Sequence, residues 1–450
     1  MATTTPPGTG SRGAPRGSTR AAPPARSRHA RLEAVDAWVR ERTRLLDSPL
    51  ATHHILLATT ALLVVIGLVM VLSSSSVESL RIYGSQFTLF KNQATFAVLG
   101  ALGLLVASRV PARAWSRLAL PVLGVSTVLM LAVFVPGIGH EVKGNRNWIV
   151  LGPLQGQPSE LAKVALVLSC ALALVRKRDV LHKPVQLLGA LLPSCALTTG
   201  LVILQRDLGT ALVMMVMVAG MLWVVGVPAR FFALAGGAGA VVAAALVLSS
   251  QNRMNRVAHW LTESPATTAD IQGLAWQPVQ GQYALASGGW WGLGLGASRE
   301  KWQWLPEAHN DFIFAILGEE LGLPGTLAVL ALFGAFALAC VRLVRRSQDL
   351  FVKVAVVGFG TWIIGQALLN IAVVLSLLPV IGVPLPLISA GGSALVLTLF
   401  AIGVLLSFAR AEPGAPEALR ARESVVRRSL AVLPRRGAGA PDRSRGRRSS

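Results

Sequence analysis

Pro306-Glu307-Ala308-His309-Asn310-Asp311-Phe312-Ile313-Phe314-Ala315-Ile316-Leu317 turns abruptly from polar to apolar, and beyond Gly318-Glu319-Glu320-Leu321-Gly322 the chain enters the apolar run 323–341. A helix of roughly 20 apolar residues crosses about 30 Å of hydrocarbon, so that run reads as a membrane span. The carboxylate of Asp311 then lies at a membrane boundary. An ionised side chain at the centre of a bilayer helix costs roughly 2.5–3.5 kcal/mol, and less towards the interface. A charge kept in such a place points to function.

The same apolar character runs through most of the 450 residues: 53% are hydrophobic, 14% are charged and the mean hydropathy is +0.58, which excludes a soluble domain of this length. Ten runs read as crossings, near 55–72, 92–108, 118–135, 160–175, 186–204, 208–226, 231–250, 323–341, 352–375 and 393–409. Backbone exposed to lipid must satisfy its own hydrogen bonds, and no alternation suited to strands is read. The expected fold class is therefore an all-α polytopic membrane protein. It has ten transmembrane helices in one bundle (51–410) and a large extracytoplasmic loop, 251–322, between helices 7 and 8.

Charge sets the orientation. Residues 1–50 hold nine Arg against four acids and residues 410–450 eleven Arg against four acids, more than half of the net charge of +21. By the positive-inside rule both tails are cytoplasmic. Their Pro, Gly, Ser, Ala and Arg content predicts disorder over 1–50 and 411–450. Arginine beside membrane spans orients them and touches anionic lipid, so no nucleic-acid partner is expected. No cleavable signal peptide is evident, because some fifty polar residues precede the first apolar run.

The outward connections are then 73–91, 136–159, 205–207, 251–322 and 376–392. The longest carries Trp260, Trp276, Trp290, Trp291, Trp302 and Trp304, which suits a loop along the headgroup layer. Pro379, Pro384, Pro386 and Gly391-Gly392 prevent 376–392 from being regular helix and suggest a re-entrant element. Cys170, Cys195 and Cys340 read as buried structural cysteines, and the seven His are not spaced as metal ligands. With no P-loop, an ATP-driven pump is disfavoured.

Glu160, Lys163, Asp207, Asp311, Glu319 and Glu320 all fall at or just inside the outer boundary. Charges so placed face each other or a water-filled cavity, so one shared polar cleft is expected. Pro158 suits a first helical turn, which sets Glu160 and Lys163 three apart on one helix face. A positioned Asp can take a proton from a hydroxyl, while Lys, Arg and a divalent cation can neutralise phosphate. Arg253 and Arg256 are candidate phosphate contacts, with interfacial snorkelling an equal explanation.

Four motifs occur in order: Gln157-Pro158-Ser159-Glu160-Leu161-Ala162-Lys163; Asp207-Leu208-Gly209-Thr210; Pro306–Phe312 with Gly318-Glu319-Glu320-Leu321-Gly322; and Pro384-Leu385-Pro386-Leu387-Ile388-Ser389-Ala390-Gly391-Gly392-Ser393. Together they resemble the SEDS family (shape, elongation, division and sporulation) over residues 50 to 410, and its cell-division branch more than its elongation branch. The resemblance implies a ten-helix fold, peptidoglycan glycosyltransferase activity on lipid II at the outer face of the cytoplasmic membrane, and a class B penicillin-binding protein transpeptidase as partner. Other divisome proteins and a septal location follow from the division branch. Asp311 matches the family's essential aspartate, Glu160 and Lys163 its polar pair, and Arg146 the basic residue before its Trp. Arg206 stands where the family commonly has Pro, and Ala390 where Tyr is frequent.

On this reading Asp311 is the general base and Lys163, with Arg146 or Arg253 and Mg²⁺ or Mn²⁺, stabilises the pyrophosphate. Glu160 orients Lys163 or shares the metal with Asp311, and Arg256, His309 and Ser389 complete the substrate-binding set. A hydrated ion bound partly by substrate needs no all-protein cage. The rivals are a lipid II flippase, an elongation-type polymerase and a non-enzymatic scaffold that recruits a division synthase.

Overall fold

The computed structural model describes residues 48–142, 145–151, 154–177, 179, 183–248, 254, 257–258, 260 and 276–420. The disorder expected over most of both tails, and the roles assigned to Arg253 and Arg256, lie outside the described residues. The helices are α1 (Ala51–Tyr83), α2 (Thr88–Arg109), α3 (Ala112–Ala132), α4 (Pro158–Arg176), α5 (Pro184–Leu204), α6 (Leu208–Val224), α7 (Ala229–Leu248), α8 (Trp276–Gly288), α9 (Ile313–Arg346), α10 (Leu350–Val374) and α11 (Gly392–Arg410). Among the described residues α1, α2, α3, α4, α9, α10 and α11 are long and apolar enough to cross a membrane, while α5, α6 and α7 carry shorter apolar stretches.

Packing follows sequence character. Helices α4, α10 and α11 are buried on most sides, whereas α1 to α3 leave Leu62, Val65, Leu102, Val106 and Val128 exposed, as a lipid-facing surface would. Helix α11 lies along α2, α3 along α4, α9 along α1, and α10 packs against α6, α9 and α4. Small residues permit the closest approaches: a Cβ at Gly67 in α1 would stand 2.5 Å from the Leu387 carbonyl and 2.7 Å from Ile388 Cα.

The all-α expectation needs one correction. Three short strands, β1 (Gly139–Val142), β2 (Asn145–Leu151) and β3 (Leu154–Gly156), form an antiparallel sheet in the order β1-β2-β3. Gly139 pairs with Ile149 and Ile149 with Gly156, with a register irregularity at His140/Glu141. Strands this short carry too few alternations for a periodicity reading.

The expected loop 251–322 also ends too late. Helix α8 lies inside it and α9 begins at Ile313, so Phe312–Gly322 is largely helix. Apolar-run counting stops at Glu319-Glu320, but both carboxylates are buried against partners. Ser298 Oγ donates to Glu319 Oε2 at 2.5 Å, and Lys301 Nζ lies 3.1 Å from Glu320 Oε1. Helix α9 breaks at Gly322 (φ 64°, ψ −161°), just before Pro324. Proline has no N–H to donate to the Glu320 carbonyl. That carbonyl accepts from Gly294 N–H at 3.0 Å instead, and the Glu319 carbonyl accepts from Leu293 N–H at 2.9 Å. The Gly-rich stretch after α8 thus satisfies the kink, while Trp290 and Trp291 remain 74% and 85% exposed and point away from the protein.

The segment between α10 and α11 is irregular, with Ser376, Gly382 and Leu387 at positive φ. Val383, Leu385, Leu387 and Ile388 are buried, and the backbone rests on the middle of α1 at Gly67. Irregular backbone among spans is stable only where protein covers it, which is the arrangement here.

Candidate active site

A cavity of about 1070 Å³ opens between the sheet, α4, the α5–α6 turn, the segment before α9, α10 and the irregular segment before α11. Glu160, Lys163, Asp207, His309 and Asp311 line it, as do Asn147, Gln157, Arg206, Glu307, Gln366 and Gly382.

Pro158 opens α4, and Glu160 lies in its first turn, where the helix dipole favours a carboxylate. Lys163 Nζ stands 2.8 Å from Glu160 Oε1, donates to Gln366 Oε1 at 3.2 Å and lies 4.5 Å from the centre of the Trp362 ring. Trp362 Nε1 also donates to Gln366 Oε1 (2.9 Å), and Gln366 Nε2 donates to the Pro384 carbonyl (2.9 Å). The buried pair is thereby tied to α10 and to the irregular segment.

Asp207 caps α6. Its carboxylate accepts from Thr210 N–H (3.0 Å), Thr210 Oγ1 (2.9 Å), Asn147 Nδ2 (2.9 Å) and Gln157 Nε2 (2.8 Å), which joins α6 to β2 and to the start of α4. The aspartate therefore organises the wall of the cavity.

Asp311 is half-buried two residues before α9. Asn370 Nδ2 donates to its carbonyl at 2.7 Å and to the Val383 carbonyl at 2.8 Å, while a Cβ at Gly382 would stand 3.6 Å from Asp311 Oδ2. Ala390 N–H donates to the His309 carbonyl (2.9 Å), and Ser389 Oγ donates to the Asn310 carbonyl (2.7 Å). Gln93 donates to the Ser389 carbonyl at 3.1 Å and accepts from Gly391 N–H at 3.2 Å. The segment bearing Asp311 is thus clamped onto the irregular segment from three sides.

The remaining candidates divide. His309 lines the cavity and its Nδ1 is 3.2 Å from Glu78 Oε2. Ser389 is buried outside the lining and serves as a clasp, accepting from Leu385 N–H at 2.8 Å. Arg146 lies on β2 beside the lining residues Asn145 and Asn147 and is not itself part of the lining. Glu319 and Glu320 do not share the cleft, contrary to the expectation, because they face Ser298, Lys301 and Ser73 across α9. Arg206 departs from the family's usual Pro, and its φ of 65° is one that proline, fixed near −65°, does not adopt. Cys170 and Cys195 are free thiols whose sulfurs lie 3.7 Å apart between α4 and α5.

Among the described residues no three His, Cys, Asp or Glu side chains come together as a metal cage. Glu160 Oε2 is buried with no hydrogen-bond partner and belongs to the same cavity as Asp311. One or two carboxylates fit a hydrated divalent ion held mainly by substrate phosphates.

Gln366, Asn370, Trp362 and Gln93 escaped the sequence reading. Each is a single polar or aromatic residue inside an apolar span, a signal that is weak alone and gains meaning from the partner it reaches.

Residues 53–413 match the model of the cell cycle protein family FtsW/RodA/SpoVE. The chain belongs to this family. It is 40% identical over 395 residues to the probable peptidoglycan glycosyltransferase FtsW of Mycobacterium tuberculosis, covering 87% of this chain and 75% of that one. It is 36% identical over 357 residues to the protein of the same name from Trichlorobacter lovleyi, covering 78% and 92%. Among solved structures it resembles a chain of a peptidoglycan synthase complex that coordinates polymerization and crosslinking, with a TM-score of 0.62 and 28% identity over 79% of this chain and 97% of that one. It also resembles the rod shape determining protein RodA of Thermus thermophilus, with a TM-score of 0.56 and 28% identity over 79% and 96%. As an FtsW/RodA/SpoVE protein with several long apolar helices, it is a multi-pass membrane protein.

Proposed function

We propose that this chain is a peptidoglycan glycosyltransferase of the FtsW type, polymerising lipid II into glycan strands during cell division. One observation carries the mechanism: Asp311 and the Glu160–Lys163 pair line a single cavity of about 1070 Å³ in a member of this family. Relatives at 36% and 40% identity bear the FtsW name, which favours division over elongation.

Asp311 takes the proton of the acceptor sugar's C4 hydroxyl as that oxygen attacks the anomeric carbon of the donor. The new C–O bond forms as the bond from the anomeric carbon to the pyrophosphate breaks, and undecaprenyl pyrophosphate leaves with the electron pair. General-base assistance of this kind contributes typically 10²–10⁴ in rate. The clamp formed by Asn370, Ser389 and Ala390 holds the Asp311 segment in place, so that little reorganisation accompanies proton transfer. On this reading Lys163 would meet the charge of the departing pyrophosphate, and Glu160, whose Oε1 lies 2.8 Å from Lys163 Nζ, would orient it. A bound divalent ion, held by Glu160 and Asp311 with the substrate, would neutralise phosphate charge.

The same reading has ten crossings with both tails in the cytoplasm and the cavity facing outward, at the division septum. It has a class B penicillin-binding protein transpeptidase as partner, supported by the likeness to a chain of a synthase complex. The test is the full chain in liposomes with lipid II and Mn²⁺, alone and with such a transpeptidase, scored both for glycan strands and for lipid scrambling. Strand synthesis is expected. Scrambling without strand synthesis under either condition would replace the polymerase with a flippase.

A further inference from the structure

The tryptophans that precede α9 do not all serve one purpose. Trp290 and Trp291 point away from the protein, as headgroup anchors do, whereas Trp276, Trp302 and Trp304 form with Gln303 the walls of a second pocket, of about 430 Å³. That volume falls within the roughly 300–1,000 Å³ of small-molecule sites. The rings of Trp276 and Trp304 lie 5.9 Å apart with a tilt of 31°, and Trp276 Nε1 donates to the Trp304 carbonyl. The backbone that carries Trp302 and Trp304 is fixed: Trp302 N–H donates to the Arg299 carbonyl at 3.1 Å, Leu305 N–H donates to the Glu300 carbonyl at 2.9 Å, and the Leu305 side chain is buried. Gln303 stands between the two indoles at φ 76°, and Arg81 Nη1 on α1 donates to its Oε1 at 3.3 Å. A pocket held in this way is organised before any ligand arrives.

Chemistry and position together name the occupant. An indole face carries negative charge and attracts the C–H groups on the flat side of a pyranose ring, while an amide can meet the ring's hydroxyl and acetamido groups. Among the described residues the lining holds no charged side chain, so it suits sugar rings and not a phosphate. The pocket also adjoins the larger cavity along the chain: Gln277, next to Trp276, and Glu307, three residues after Trp304, both line that cavity. A headgroup anchor explains neither the facing arrangement of the rings nor this continuity. Resting on the glycosyltransferase reading, we propose that Trp276, Trp302, Gln303 and Trp304 form a sugar subsite that holds the nascent glycan strand as it leaves the larger cavity. A strand held there stays with the enzyme between additions and so grows longer before release.

The experiment has two arms on the full chain: binding of a soluble, peptide-free glycan tetrasaccharide to the protein in nanodiscs, and the length of the strands made from lipid II in liposomes. Trp302 is exposed, so Trp302→Ala should fold. It is expected to weaken tetrasaccharide binding about tenfold, the loss of one well-placed aromatic contact, and to shorten the strands more than it lowers the initial rate. Trp302→Phe should keep part of both. Replacing Trp290 and Trp291 together by alanine removes two indoles outside the pocket and should leave both readouts at wild-type values. Unchanged affinity in Trp302→Ala, an equal loss in the Trp290 and Trp291 variant, or a wild type that binds no tetrasaccharide overturns the proposal. Affinity lost with strand length unchanged assigns the pocket to strands already in the wall and overturns its role toward the nascent one. A wild type that binds the tetrasaccharide through Trp302 yet makes no glycan refutes the glycosyltransferase reading and leaves the sugar site standing.

Discussion

Replacing Asn370 by alanine should uncouple the Asp311 segment from the bundle. Asn370 is 1% exposed, and its Nδ2 donates to the carbonyls of both Asp311 and Val383, at 2.7 and 2.8 Å. Two such bonds contribute about 1–3 kcal/mol net, and the carbonyls left behind keep part of their desolvation penalty, so the cost is about 2–4 kcal/mol. The larger effect is expected in catalysis, because a shift of about 1 Å in a reacting group can lower the rate about a hundredfold. Steady-state glycan synthesis at saturating lipid II, with undecaprenyl pyrophosphate binding as the control, should show kcat falling by about that factor while binding changes little. A folded Asn370→Ala protein with kcat within about threefold of wild type would show that the clamp does not position Asp311.

Three more outcomes follow. Gly67→Ala should gain up to about 1 kcal/mol of helix propensity yet lower both melting temperature and activity, because its Cβ meets Leu387 O at 2.5 Å and overpacking costs about 1–3 kcal/mol; a stabilised, active variant would contradict the close contact. Lys163→Met should destabilise by about 3–5 kcal/mol by leaving Glu160 buried without its cation, and adding Glu160→Gln should restore stability on denaturant titration without restoring strand synthesis. Glu412, buried just past α11 and 3.3 Å from Arg346 Nε, has its pKa raised above 4.5 by burial, against the lowering effects of Thr52 and Arg346. The folded state therefore binds that proton more tightly than the unfolded chain, and this contribution is lost as pH rises from 4.5 through the raised value. Glu412→Gln should flatten the pH dependence of unfolding in that window, and parallel curves for variant and wild type would oppose it.

The bundle was legible because lipid imposes a simple rule, and the ten apolar runs coincide with parts of α1–α7 and α9–α11. The failures have physical causes. Glu319 and Glu320 look like a boundary in sequence, yet Ser298, Lys301 and Ser73 compensate them inside α9. Strands β1 to β3 are too short for their period to register. Within the site, Glu160, Lys163, Asp207 and Asp311 stood out because charge is rare among spans. Gln366 and Asn370 carry no charge and drew no notice, although one tethers Lys163 and the other Asp311. The strain at Arg206 is a backbone property, visible only once the Val202 and Ile203 carbonyls are seen to close the turn.

The central claim is that the Asp311 carboxylate accepts the proton of the attacking hydroxyl. The most direct measurement compares wild type with Asp311→Asn, which keeps the shape and removes the base, in the initial rate of glycan-strand formation from lipid II at matched substrate occupancy. The account predicts a rate lower by about 10²–10⁴ with lipid II binding retained. Strand formation at the wild-type rate by the folded Asp311→Asn protein would contradict it.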